Sequence, residues 1–142
     1  MIDNSGFAAV ADDGSNERAD VARRIFELSE TITEALDYML AQFDAFHTDM
    51  GVLAALIKDV GDGFISLENA VSSISEPSGL NTEAIQKLDY HFSELSEWLD
   101  AVVDACVENR AADLPALGES LRDAYKSYGA AITRNFRKMA VM

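Results

Sequence analysis

The sequence predicts an all-α protein: an elongated antiparallel helical hairpin or bundle of three to four helices with coiled-coil-like heptad packing. Three observations carry this. Leu36, Met39, Phe43, Phe46, Met50, Leu53, Ile57, Val60, Phe64, Leu67, Val71 and Ile74 recur in steps of three and four, the seven-residue repeat of a helix holding one stripe against a neighbour. A second stripe follows beyond a turn, at Ile85, Leu88, Phe92, Leu95, Leu99 and Val102. Composition agrees: among 142 residues, 49% hydrophobic, there are only two prolines and eight glycines. That suits one domain able to bury a core without disulfides or metal.

Residues 1–15, MIDNSGFAAVADDGS, sustain no helical period and are expected to form a flexible leader before a helical domain over 16–142. Ser15 or Asn16 is positioned to cap a first helix starting near Glu17. From Leu36 the register locks. Gly51, Gly61 and Gly63 interrupt the helix formers, each costing about 1 kcal/mol in a helix interior. All three lie off the apolar stripe, and the 3, 4 spacing passes them without a change of phase. One continuous helix over about 17–75 is therefore expected, on the order of 85 Å long. A break at 49–51 or 61–63 is the alternative, with Asp49 as N-cap in the first case.

SEPSGLN, residues 75–81, combines proline and glycine among polar residues and marks a turn. Asn81 or Thr82 then caps a second helix over about 82–110, with Glu83 in its first turn. NRAADLP, residues 109–115, ends it. Asp113 is a suitable cap, and Pro115 is tolerated in a first turn. The third helix, about 114–140, carries Leu114, Leu117, Leu121, Tyr125, Tyr128, Ile132, Phe136 and Met139 at helical spacing. A first helix near 59 residues is too long for one 29-residue neighbour to cover. Its remaining stripe must meet the third helix or another subunit, so a homo-oligomer or a helical heterocomplex is expected.

The formal charge is −14 and uneven. Residues 1–112 hold 22 acids and 6 bases, a net −16, while 113–142 hold 3 acids and 5 bases, a net +2. Between Glu27 and Glu108 the only bases are Lys58 and Lys87. Such a field repels phosphate backbones and argues against nucleic-acid binding. It suits a solvated acidic surface or a basic partner, including the chain's own C-terminal segment. No apolar run reaches the length of a membrane span. The acidic N-terminus lacks a signal peptide's basic region, so a cytoplasmic location is expected, with leaderless export as the alternative.

Motifs for chemistry are weak. GDGFIS, residues 61–66, resembles the centre of an EF-hand loop. Aligning Gly63 with the loop glycine puts Lys58 at the first ligand position and Asn69 at the last, which leaves too few oxygens for calcium. Asp44 with His47, and His91 with Glu94, have helical spacing but depart from the Glu-x-x-His pairs of di-iron bundles. The runs around the two histidines, AFHTDMG and LDYHFSE, hold no lysine of the kind a phosphotransfer site has beside its histidine. Cys106 sits at a core position near acids, which disfavours a thiolate. No phosphate loop, nucleophile elbow or zinc spacing occurs. Neither an enzyme nor a cofactor or metal site is expected.

Trp98 is a candidate partner contact. So is the C-terminal run RNFRKMAVM, with Arg134, Phe136, Arg137 and Lys138. This helix end is read as docking on the acidic body, and contact with a membrane surface is the less favoured alternative. The run LGESLRDAYKSYGAAI, residues 117–132, resembles the second helix of small helical-hairpin proteins exported by type VII systems. Their Trp-x-Gly turn is absent, the turn here reading EPSGLN. Their acid four residues after a tyrosine is missing too, since Ile132 follows Tyr128. No function is carried over. The expected function is a non-catalytic interaction protein: an adaptor, chaperone or assembly subunit working through helix packing. The alternatives are a sensory four-helix module binding a small ligand, or an exported structural subunit of a secretion system.

Overall fold

A computed structural model describes the backbone of residues 2–44 and 49–141, and the side chains of 16–44 and 49–141. Four α-helices follow in order: α1 (Ile2–Phe43), α2 (Met50–Ser75), α3 (Thr82–Val107) and α4 (Leu114–Ala140). A single 3₁₀ turn, Ala111–Asp113, precedes α4. No strand occurs among the described residues.

Helix α1 packs on α2 and α4, and α3 packs on the same two. Neighbours run antiparallel. Ile32 of α1 meets Gly63 of α2, and Leu99 of α3 meets Gly61 of α2. The Phe92 ring of α3 lies 5.5 Å from that of Tyr128 in α4. Asp37 of α1 accepts a hydrogen bond from Arg122 of α4 at 2.7 Å. In the first three pairs the two residues are roughly equidistant from the connection they flank, and the fourth joins the C-terminal part of α1 to the N-terminal part of α4. The result is an up-down-up-down four-helix bundle.

The expected single helix over 17–75 is corrected: α1 ends at Phe43 and α2 starts at Met50. Asp49 caps the new helix, its carboxylate accepting from the Gly51 N–H at 2.7 Å. A helix of some 59 residues would leave half its apolar stripe without cover. Folding back buries both halves in one core, which the hydrophobic effect favours. The unbroken register misled because the connection takes up one heptad. From Phe43 to Met50 is seven residues, so the phase resumes where it stopped. A break at 61–63 does not occur; α2 is continuous through both glycines. There hydrogen stands where a Cβ would lie 3.2 Å from Leu99 and 3.0 Å from Ile32, so α3 and α1 approach closely.

Three further expectations change. α1 begins at Ile2 rather than near Glu17, so Ser15 and Asn16 are not its caps. α3 ends at Val107 rather than Arg110. Asp113 makes no capping bond; its carboxylate accepts from Arg110 at 2.8 Å instead. Asn81 does cap α3, accepting from the Ala84 N–H at 2.8 Å.

The apolar stripe forms the core. Leu36, Met39, Phe43, Leu53, Ile57, Val60, Phe64, Leu67, Val71 and Ile74 are buried, as are Leu88, Leu95 and Val102. Met50, Phe92 and Leu99 are half-buried against them, and Ile85 is half-buried too. Phe46 lies outside the described residues. From α4, Leu121, Tyr125, Tyr128, Ile132 and Phe136 complete the interior. Tyr125 is its pivot: the ring stacks on Phe64 at 5.5 Å and the hydroxyl donates to the Ser29 carbonyl at 2.7 Å. Because α2 and α4 cover the stripe of α1, a second subunit is no longer needed to do so.

Candidate functional site

The seam between α2 and α3 carries apolar side chains on an open face of the bundle. Two hollows lie along it. The first, about 300 Å³, is bounded by Ile57, Gly61, Ile65, Phe92, Leu99 and Val103. The second, about 340 Å³, lies towards the α2–α3 turn and is bounded by Val71, Ile85, Leu88, Phe92 and Tyr128. Phe92 belongs to both, so they form one groove. The reason is local sequence. Gly61 draws α3 in at one point, while Ser72 and Ser75 on α2 and Ser96 on α3 are too small to fill the space beside it. Ile65 and Val103 flank the first hollow with 56% and 37% of their surface exposed.

The rim is acidic. Asp62 and Asp100 border the first hollow, and Glu68, Glu76 and Asp89 the second. Lys58 also borders the first hollow, and each of the two bases on these helices is paired with an acid one turn away. Lys58 pairs with Asp62 at 3.2 Å, and Lys87 with Glu83 at 3.3 Å. Glu68 accepts from Ser72 at 2.7 Å. No base lines the second hollow. Tyr128 sits there with 1% of its surface exposed. Burial, together with the charges of Glu68 and Asp89, pushes its phenol well above the usual tyrosine range. The hydroxyl therefore stays protonated and neutral.

The candidate partner contacts from the sequence do not form one surface. Trp98 is exposed to 38% and does not line the groove. Arg134, Arg137 and Lys138 are exposed in the last two turns of α4. Phe136 must be corrected: it is fully buried, because it continues the inward stripe of Tyr128 and Ile132 at steps of four while the bases take the outer face. Burial pushes the Cys106 thiol up, which works against a reactive thiolate. GDGFIS is continuous helix, not a calcium loop. His47 lies outside the described residues. His91 is half-buried with its Nδ1 enclosed and without a hydrogen-bond partner.

Sequence reasoning placed Phe92, Leu99 and Tyr128 on packing stripes but missed the hollow they share with Glu68, Glu76 and Asp89. The available signal was the long stretch with only two bases, combined with serines at Ser72, Ser75 and Ser96 beside the apolar stripe. No three His, Cys, Asp or Glu side chains converge as metal ligands among the described residues. No described helix is long and apolar enough to cross a membrane. Compared with family models, with curated proteins and with solved structures, the chain finds no match.

Proposed function

We propose that the protein is a non-catalytic interaction module, an adaptor, chaperone or assembly subunit, whose α2–α3 groove receives a basic amphipathic helix from a partner protein. The observation that carries this is a groove with an apolar floor and an acidic rim. Ile65, Phe92, Leu99 and Val103 offer anchors for a stripe of apolar side chains, the helix-in-groove mode of recognition. Asp62, Asp89 and Asp100 stand where lysines flanking that stripe would lie, so the field favours a basic partner and disfavours an acidic one. A second copy of this chain does not supply such a helix. Its net-positive helix, α4, exposes no large apolar side chain among the described residues. The expected assembly is therefore a heterocomplex.

A labelled peptide of about 20 residues, with leucines at helical spacing and lysines elsewhere, tests this by fluorescence anisotropy. The peptide should bind, and Ile65→Asp with Val103→Asp should weaken it about tenfold or more. A scrambled peptide of the same composition should bind far more weakly. Equal binding of the scrambled peptide, or full binding by the double variant, would show only charge attraction and sink the reading.

A further inference from the structure

The hollow at the turn end of the α2–α3 groove has a chemistry of its own. Three carboxylates, Glu68 from α2, Glu76 just beyond its end and Asp89 from α3, border it, and no base does. Its walls are aliphatic and aromatic. Most informative is Tyr128. This side chain is 1% exposed and lines the hollow, yet its hydroxyl makes no hydrogen bond among the described residues. The hydroxyl is not sealed off, since it is the His91 Nδ1 that is enclosed without a partner among the described residues; the little surface Tyr128 keeps opens on the hollow. Here the space it borders is where a partner would sit.

We infer that this hollow binds an alkylammonium group, its charged head among Glu68, Asp89 and the Tyr128 hydroxyl and its stem along Val71, Ile85 and Leu88. The sign follows from the carboxylates. A bare metal ion fits poorly, because no three acids among the described residues stand close enough to share one, and a hard cation needs several oxygen ligands at bonding distance. The aliphatic walls favour a stem of methylenes, whose burial adds to the charge attraction. The rings of Phe92 and Tyr128, 5.5 Å apart and inclined at 56°, present aromatic surface on which a cation is further stabilised. The neutral phenol accepts one ammonium N–H, while the carboxylates accept the others. A free alkylamine and the lysine of a docked protein share this chemistry. The site does not depend on the partner-helix reading, since a small amine needs no helix in the first hollow.

Isothermal titration calorimetry with 1,4-diaminobutane tests it, at about 150 mM salt to suppress diffuse counter-ion binding. One saturable site is expected. Glu68→Gln with Asp89→Asn should raise Kd about tenfold or more, and Tyr128→Phe should raise it several-fold, each with an unchanged far-UV spectrum. 1,4-Butanediol, of the same shape without charge, should not bind, and magnesium should not compete. Nα-acetyl-lysine methylamide separates the sources: tighter binding than the diamine assigns the site to a partner's lysine, weaker binding to a free amine. Heats that never saturate, a double variant that binds like the parent, or displacement by magnesium would each overturn the inference. Ile65→Asp, which blocks the first hollow, should leave diamine binding intact, so this test and the peptide test fail independently.

Discussion

His91 keeps its Nδ1 inside the bundle with no hydrogen-bond partner. An enclosed polar atom of that kind costs on the order of 1–3 kcal/mol. His91→Leu, which removes it at similar volume, should leave stability unchanged or raise it by about 1 kcal/mol, as read by urea unfolding. A clear loss would mean the ring packs better than its orphan nitrogen costs. Tyr128 makes a second prediction, on the alkaline side. Its proton is held more tightly in the folded state than in the unfolded chain, where the phenol titrates near 10.0. The stabilising contribution is therefore complete below that value and is lost as pH rises above it. Wild-type stability should fall above pH 10 more steeply than that of Tyr128→Phe. Cys106, raised from 9.0 by burial, adds a similar slope to both proteins and cancels in the comparison. Parallel slopes would show that the phenol ionises freely in the fold.

At the level of elements, two of the three connections rest on a single identifiable feature, a helix cap in one and a glycine in the other. Asp49 starts α2 by accepting from the Gly51 N–H; Asp49→Ala should cost about 1 kcal/mol, the usual worth of an N-cap. Gly79 holds the α2–α3 turn with a φ of 79°, a left-handed conformation that penalises any Cβ. Gly79→Ala should likewise cost roughly 1 kcal/mol. Thermal or urea unfolding checks both, and stability unchanged in either variant would mean the connection is not held as described. These elements differ in how readable they were. The α2–α3 turn was plain, because Pro77 and Gly79 punctuate it and Asn81 is a good cap. The α1–α2 connection was not, because residues 44–49 contain no proline or glycine and occupy a length that restores the phase. Periodicity reports which face of a helix is apolar; it does not report whether the chain reverses between two apolar faces. The groove was invisible for a related reason. Its depth comes from small side chains beside the stripe, and a pattern of apolar positions does not record what stands next to them.

For the whole molecule the ring order of the helices distributes charge in a way that composition alone does not show. α1 holds nine acids and three bases, a net −6; α2 three acids and one base, −2; α3 six acids and one base, −5; α4 two acids and five bases, +3. In the bundle α4 packs between α1 and α3, so the one net-positive helix lies beside the two most negative. The chain's C-terminal helix thus acts as counter-charge to its own acidic body, with Arg122 to Asp37 as a direct link. The α2–α3 side faces away from that compensation, which leaves its groove negative. Self-repulsion of a net −14 chain opposes the compact state, and salt screens it over a Debye length of about 10 Å at 0.1 M. Raising sodium chloride from about 20 to 500 mM should therefore raise the melting temperature of the wild type. Arg134→Glu with Arg137→Glu removes counter-charge from α4 and adds two acids. That variant should melt lower at low salt and recover more of the difference as salt rises. If both proteins respond to salt alike, α4 is not compensating its neighbours, and its bases are free to serve an outside ligand instead.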